Sequence, residues 1–372
     1  MSAICAIKYP WAKPMFFGQE EEYVRKALKS TWISGGPYVE RFEKEFGKAI
    51  KAPHVITTSN GTTALYLAVL GLGIGPGDEV ILPGFTFAAI ANMVIAVGAT
   101  PVFCDIDPHT WCIDPVSAEK AVTKKTKAIC AVHLYGNVCD MDALAVVCRR
   151  HQLFLIEDAA EAALSRYQGR YAGTLSDVGC FSFQATKTIA MGEGGCVVVR
   201  NKELYTRMKI IRNHGMDRKR YYWHTAIGHN FRLPNLQAAI GCAQLEKIDD
   251  IIARRIKLHR AYKKRLEGIP GVIAQKFNDN VDAVLWVVAL KIDPKVWGSS
   301  RDQLMAQLLK AGIETRPGFY PLQAMPLYKK FVRRQLPVAS DVGANVLSLP
   351  SFPQLTEKKI VWICDQLRRL KK

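Results

Sequence analysis

A chain of 372 residues with 49% hydrophobic and 23% charged residues has an ordinary globular composition and enough length for a large core and two domains. Its apolar stretches, residues 64–75 and 85–99, contain glycines and are too short to span a bilayer. Met1–Lys8 lacks a charged region followed by an apolar core, so neither a membrane segment nor a signal peptide is expected, and a cytoplasmic location is. The formal net charge of +18 is the one outlier.

Taken in chain order, the pattern over residues 20–50 predicts two helices, Glu20–Lys29 and Tyr38–Ala49, around the turn Ser30–Pro37. From His54 strands and helices alternate: strand 54–58, helix 62–72, strand 79–82, helix 88–97 and strand 101–105. Strand 128–133, helix 140–151 and strand 153–158 continue the series. Gly73–Gly77 and Gly98–Pro101 supply breaks between elements. Such repeated units predict an α/β fold with a mainly parallel sheet covered by helices. After Asn235 the sequence reads as one long helix, 236–266, leading into a smaller C-terminal α+β domain. That domain holds a strand at 281–292, a helix at 301–311, the proline-rich 317–326 and a final basic amphipathic helix, 358–370. The expected division is 1–245 for the large domain and 246–372 for the small one.

Two basic stretches, Arg207–Arg220 and Arg254–Arg265, account for part of the charge. In the second, Ile251, Ile252, Ile256, Leu258 and Tyr262 can form a buried stripe, which makes a solvated helix face the leading reading. Steering of an anionic small substrate comes next and nucleic-acid binding last. The ten cysteines are scattered with no CxxC pair, and several lie within apolar runs. No disulfide framework and no metal site is expected.

The segment Cys180–Gly195 sets Lys187 between an apolar strand-like run and the glycine-rich turn Gly192-Glu-Gly-Gly195. A lysine held at strand ends can form a Schiff base with an aldehyde cofactor. Asp158 ends the apolar run Leu153–Asp158, 29 residues earlier. An acid at the end of a parallel strand is placed to pair with a protonated pyridine nitrogen, although it could equally cap a helix beginning near Ala159. Together the two residues suggest pyridoxal phosphate chemistry. Thr57–Thr63, with Ser59, Asn60, Gly61 and Thr62, joins a strand to a helix and could cradle a phosphate, or simply cap the helix. Glu161 lies one turn beyond Asp158. Phe85 or Phe87 could stack on an aromatic cofactor or belong to the core.

The chain resembles the sugar aminotransferases of the DegT/DnrJ/EryC1/StrS family, which have the fold type I architecture, from about Phe17 to Leu370. The resemblance rests on TTSNGTTALYLAVLGLGIGPGDEVILP, HLYG, IEDAAEA, SFQATKTIAMGEGG and IGHNFRLPNLQAAIG. It implies that Lys187 carries the covalent link to pyridoxal 5'-phosphate and moves the reacting proton, while Asp158 keeps the ring nitrogen protonated. It also implies that Gly61, Thr62 and Ser182 bind the phosphate, with Phe87 on the ring and Glu161 near its hydroxyl. Asn230 would reach the cofactor phosphate of a neighbouring subunit, in a homodimer with shared sites. STWIS, YWHTAIGHNFR, ETRPGFYP and LPSFP resemble those members that aminate GDP-4-keto-6-deoxymannose, with glutamate as donor. Trp32, Ser34, Arg316 and Tyr320 would then line the sugar-nucleotide pocket. A dTDP- or UDP-linked keto sugar is the nearer alternative. A deoxysugar dehydratase is a more distant one, because it would carry histidine in place of Lys187. Gln323 and Asn137 stand where similar members carry histidine, and both are expected to alter hydrogen bonding near substrate.

Overall fold

The computed structural model describes residues 7–217 and 220–371. Cys5 and the Arg218–Lys219 part of the first basic stretch lie outside them. Strands β1 (His54–Thr58), β2 (Glu79–Pro83), β3 (Thr100–Cys104), β4 (Thr126–Val132) and β5 (Phe154–Asp158) come first. A hairpin, β6 (Arg166–Tyr167) and β7 (Arg170–Tyr171), precedes β8 (Val178–Ser182) and β9 (Gly195–Val199). Seven of these form one sheet in the order β1-β9-β8-β5-β4-β2-β3. Six of its strands share one direction and β9 opposes them.

A parallel sheet must bury both faces, so its strands are apolar at successive positions rather than alternating with polar residues. Here Ile56, Val80, Leu82, Cys130, Ile156, Cys180 and Val197 pack on one side. Their sequence neighbours Val55, Ile81, Ile129, Leu155, Phe181, Cys196 and Val198 pack on the other. The nine described cysteines are buried and free, acting as small apolar side chains.

The registers place the functional end of the sheet. Gly195 pairs with both Ser182 and Thr58, Asp158 pairs with Val132, and Cys180 pairs with Asp158. The carboxyl ends of β1, β8, β5 and β4 therefore meet along one edge, joined there by the start of the reversed strand β9. Loops leaving such an edge are where open α/β sheets bind ligands.

The C-terminal part has its own antiparallel sheet. It contains β10 (Val272–Ala274), β12 (Val288–Ile292), β13 (Arg316–Pro317) and β14 (Val346–Leu349), in the order β10-β12-β14-β13. Between β10 and β12, β11 (Val281–Asp282) leaves to pair with β6. Leu258, Tyr262, Leu290, Trp297, Leu347 and Ile363 form the core here, and Tyr9 from the start of the chain joins them. A boundary at 245/246 falls between the helices Asn235–Leu245 and Ile248–Leu266. We propose it as the domain division, with the segment around Tyr9 crossing it.

The fold is the expected α/β architecture with a smaller α+β part, and three local expectations change. The single helix over 236–266 is two, because Lys247 leaves helical geometry at φ −113°, ψ 21°. Neither proline nor glycine marks that break. The strand over 281–292 divides into β11 and β12, and residues 283–287 between them turn toward the large sheet. No helix starts at Ala159. Residues 159–165 are turns, and Ala160 N–H donates to Asp158 Oδ1 at 3.1 Å.

Candidate active site

Asp158 and Glu161 follow β5 and are both buried. Burial raises the Asp158 pKa, opposed by the Ala160 N–H, the Lys187 charge and His133. Glu161 is pushed up to about 7 by burial, although Lys187 and the Tyr135 N–H pull the other way. The Tyr135 amide donates to Glu161 Oε2 at 2.9 Å. To make that bond the backbone at Tyr135 adopts φ 61°, the left-handed region that L-residues seldom occupy.

Lys187 lies in a tight turn after β8, built from backbone hydrogen bonds. Ala185 N–H donates to Gly192 O at 2.9 Å, and Lys187 N–H to Gln184 O at 2.8 Å. Its side chain, only 13% exposed, places Nζ 3.7 Å from Glu161 Oε1. Burial lowers the lysine pKa, against the opposing pull of Glu161 and Asp158. A buried amine flanked by two acids, with its charge held down, is the setting an imine-forming lysine needs.

The turn expected to cradle a phosphate is equally specific. Asn60 caps the helix Gly61–Gly71: its Oδ1 accepts from Thr63 N–H at 2.9 Å, and Thr63 Oγ1 accepts from Asn60 N–H at 3.1 Å. Asn60 therefore spends its side-chain acceptor on the cap and shapes the cradle. Ser59 Oγ lies 3.1 Å from Thr63 Oγ1. The helix begins at Gly61 and Thr62, whose N–H groups are among its first. A Cβ on Gly61 would stand 2.7 Å from Ser182 Cβ, so only glycine lets the helix start approach β8 this closely. Gly195 is under the same constraint, since its Cβ would meet Asn60 O at 2.4 Å.

The remaining expected residues are less enclosed. Phe85 is fully buried, whereas Phe87 is 60% exposed, with its ring 5.8 Å from that of Phe319. Phe87 is therefore the aromatic available to a ligand. Trp32, Ser34, Asn230, Arg316 and Tyr320 are exposed. Asn230 Oδ1 accepts from Arg232 Nε at 3.0 Å, and Arg316 pairs with Glu314 at 2.6 Å. Arg301 lies 5.7 Å from the Tyr320 ring centroid.

Other residues support the site without having stood out in the sequence. Asn235 is completely buried and clamps the Trp32 segment: it donates to Trp32 O at 2.6 Å and accepts from Tyr38 N–H at 3.0 Å. Glu157, beside Asp158 but on the opposite sheet face, bonds His133 Nε2 at 3.0 Å and the amides of Gly173 and Leu175, each at 2.7 Å. Cys139 N–H donates to His133 Nδ1 at 3.2 Å, which assigns the ring proton to Nε2. Trp286 and Arg255, from the C-terminal part, reach the lysine turn. An acid buried inside an apolar strand, as in Ile156-Glu157-Asp158, was the available signal for Glu157; nothing local marks Trp286 or Arg255.

Asn137 is fully buried, and its amide donates to Thr110 O at 3.2 Å and Lys276 O at 3.0 Å, tying loops together. Gln323 Nε2 donates to Ser340 Oγ at 3.2 Å, while its buried Oε1 has no partner among the described residues.

Residues 17–368 match the DegT/DnrJ/EryC1/StrS aminotransferase family. The chain belongs to this family. It is 42% identical to a GDP-perosamine synthase of Escherichia coli O157:H7, covering 97% of this chain and 98% of that one. It is 38% identical to a dTDP-3-amino-3,4,6-trideoxy-alpha-D-glucose transaminase of Streptomyces venezuelae, over 93% and 90% of the two chains. A putative sugar aminotransferase of Streptococcus pneumoniae, solved in its PMP-form, superposes with TM-score 0.91 at 28% identity, covering 97% of each chain. The protein is thus a sugar aminotransferase of fold type I, and its cofactor is pyridoxal 5'-phosphate. The observed donor set fits that group: a buried amine, an acid at a strand end, and a helix N-terminus crowded against a serine. Among the described residues, no helix is long and apolar enough to cross a membrane.

Proposed function

We propose that this aminotransferase moves the amino group of glutamate to the keto carbon of GDP-4-keto-6-deoxymannose, giving GDP-perosamine. The observation that carries the reaction class is the Lys187 amine, buried within reach of Glu161 and on the same sheet edge as Asp158. Support for the nucleotide and sugar comes from the identity to enzymes named GDP-perosamine synthase, at 42% and 41%. The 38% identity to the dTDP-sugar transaminase keeps a dTDP-linked substrate as the second reading. Retention of Lys187 argues against dehydration.

When bound, the cofactor supplies an electron sink for the charge left at the amino-bearing carbon. The chain's residues make that sink effective. Asp158, buried at the end of β5, would hold a proton on the ring nitrogen, and the positive charge there would give the carboxylate the partner its burial demands. The Gly61 and Thr62 amides, with the Ser182 hydroxyl, would hold the phosphate at a helix N-terminus. Phe87 would cover the ring and Glu161 would pair with its hydroxyl. Lys187 Nζ would carry the reacting proton in both half-reactions.

The reading extends to a homodimer. Asn230 is exposed, and nearby Tyr221, Tyr222 and Ile227 are 88%, 84% and 90% exposed, an apolar display that a second copy would cover while bringing Asn230 to its neighbour's phosphate. Trp32, Ser34, Arg316 and Tyr320 would hold the nucleotide sugar. The net charge of +18 favours encounter with its diphosphate.

The test loads the protein with cofactor, adds glutamate and follows the visible band. Excess donor is then removed and GDP-, dTDP- and UDP-linked 4-keto-6-deoxy sugars are offered separately. Bleaching by glutamate and recovery with the GDP sugar alone is the expected result. Recovery with a dTDP or UDP sugar instead would replace the substrate assignment, and a band that glutamate never bleaches would remove the donor.

A further inference from the structure

The Lys187 amine needs a defined place whenever it is not bonded to cofactor, and an indole occupies that place. Lys187 Nζ lies 3.5 Å from the centroid of the Trp286 ring. The contact is fixed from several directions. Trp286 Nε1 donates to Thr186 O at 2.8 Å, so the indole is bonded to the residue before the lysine. The buried guanidinium of Arg255 donates to Trp286 O at 2.9 Å, Leu285 O at 3.0 Å and Lys187 O at 3.3 Å. One side chain from the helix Ile248–Leu266 thus ties the backbone of both partners. Trp11 meets the indole edge-on at 5.7 Å, and Tyr135 stacks with it at 6.5 Å.

We propose that Trp286 is a positioning residue whose indole face seats the Lys187 amine when that amine is released, with Arg255 holding the seat in register. The proposal rests on Lys187 as the reacting lysine and extends that reading to the C-terminal part of the chain. A lysine is a point charge on a flexible four-carbon stem, and without a seat it would have many rotamers to search between proton transfers. The negative face of an indole attracts the ammonium and restricts it without adding a third acid. Arg255 suits the clamp because the three hydrogen bonds it makes among the described residues all go to backbone carbonyls. Burial lowers its pKa to about 10. The carboxylates facing the amine are Glu161 and Asp158.

The amine is best titrated in cofactor-free protein, so that the result stands whether or not any sugar turns over. Lysines are labelled by reductive ¹³C-methylation, and the Lys187 signal is assigned by its loss in Lys187→Arg. Its pKa is then read by NMR. In the wild type the signal is expected upfield of the other lysines through the indole ring current. Trp286→Leu, which keeps an apolar wall and removes the π face, is expected to abolish that displacement and lower the pKa by about one pH unit. Trp286→Phe is expected to restore part of both. A wild-type signal with no upfield displacement would overturn the proposal, as would variants that lose thermal stability yet leave the Lys187 pKa unchanged. If Trp286→Leu does not fold, the wild-type signal and Trp286→Phe decide the matter.

Discussion

The buried floor of the site and the exposed residues proposed as its rim are built on opposite principles. Asp158, Glu161, Ser182 and Lys187 sit at or just beyond strand ends, largely out of solvent and within a dense set of backbone hydrogen bonds. Trp32, Ser34, Phe87, Asn230 and Tyr320 stand exposed outside helices and strands, and Arg316 stands exposed on the short strand β13. A buried floor fixes proton positions and pKa values, which the chemistry requires. An exposed rim can change its residues at little cost in stability, which suits a surface that distinguishes one nucleotide sugar from another. The same contrast holds for glycine: Gly61 and Gly195 are forced by contacts under 3 Å, whereas Gly35, between Trp32 and Pro37, has open space.

If this contrast is correct, floor substitutions should destroy turnover while leaving sugar binding, and rim substitutions should do the reverse. The largest effect is expected for Lys187→Ala, with kcat falling by at least ~10⁴-fold because both half-reactions need the amine. Cofactor binding should persist in part, held by the phosphate cradle. Substantial turnover in that variant would remove Lys187 from its role. Next comes Asp158→Asn, which keeps shape but cannot hold the ring proton. A loss on the order of 10³-fold in kcat, with sugar affinity unchanged by calorimetry, is expected. A fall in sugar affinity instead would mean that Asp158 serves the substrate.

On the rim, Trp32→Ala and Tyr320→Ala are expected to raise KM for the nucleotide sugar by roughly tenfold with kcat nearly constant, the mark of uniform binding lost. Neither should move the melting temperature appreciably, since both side chains are more than half exposed. Equal losses in kcat would place these residues in the reacting geometry and break the comparison.

Much of the floor is legible in sequence because each residue sits at a local transition. Asp158 ends an apolar run, Gly61 follows Asn60 at a strand-to-helix turn, and Lys187 precedes a glycine cluster. The architecture is legible for a related reason: a parallel sheet buries every strand residue, so its strands appear as continuous apolar runs. What stays hidden is long-range. Trp286 is 99 positions from Lys187 and sits in an apolar run that reads as one strand, so its turn toward the lysine has no local mark. Arg255 looks like one more cation on a basic helix, although it is buried beneath the lysine turn. Asn137 shows the converse: a residue in a telling segment, HLYGN, whose buried amide joins loops through Thr110 O and Lys276 O.

The smallest effect tests whether the floor carries strain when cofactor is absent. Glu161 titrates at about 7 in the folded protein, above the 4.5 of an ordinary glutamate. Between those two values the native state binds more protons than the unfolded chain, so stability falls as pH rises through the window and then levels off. Ionised Glu161 is thus a cost of folding above neutrality, one that the neighbouring Lys187 charge only partly offsets. Glu161→Gln keeps an acceptor for the Tyr135 amide and removes the buried charge. In cofactor-free protein it should raise stability at pH 8 by on the order of 2 kcal/mol and change it far less at pH 5, where the wild-type carboxyl is already neutral. Paired denaturant titrations at the two pH values measure the difference. A variant equally stabilised at both, or destabilised at pH 8, would show that the Lys187 charge outweighs the burial of Glu161, leaving the floor as relaxed as the rim.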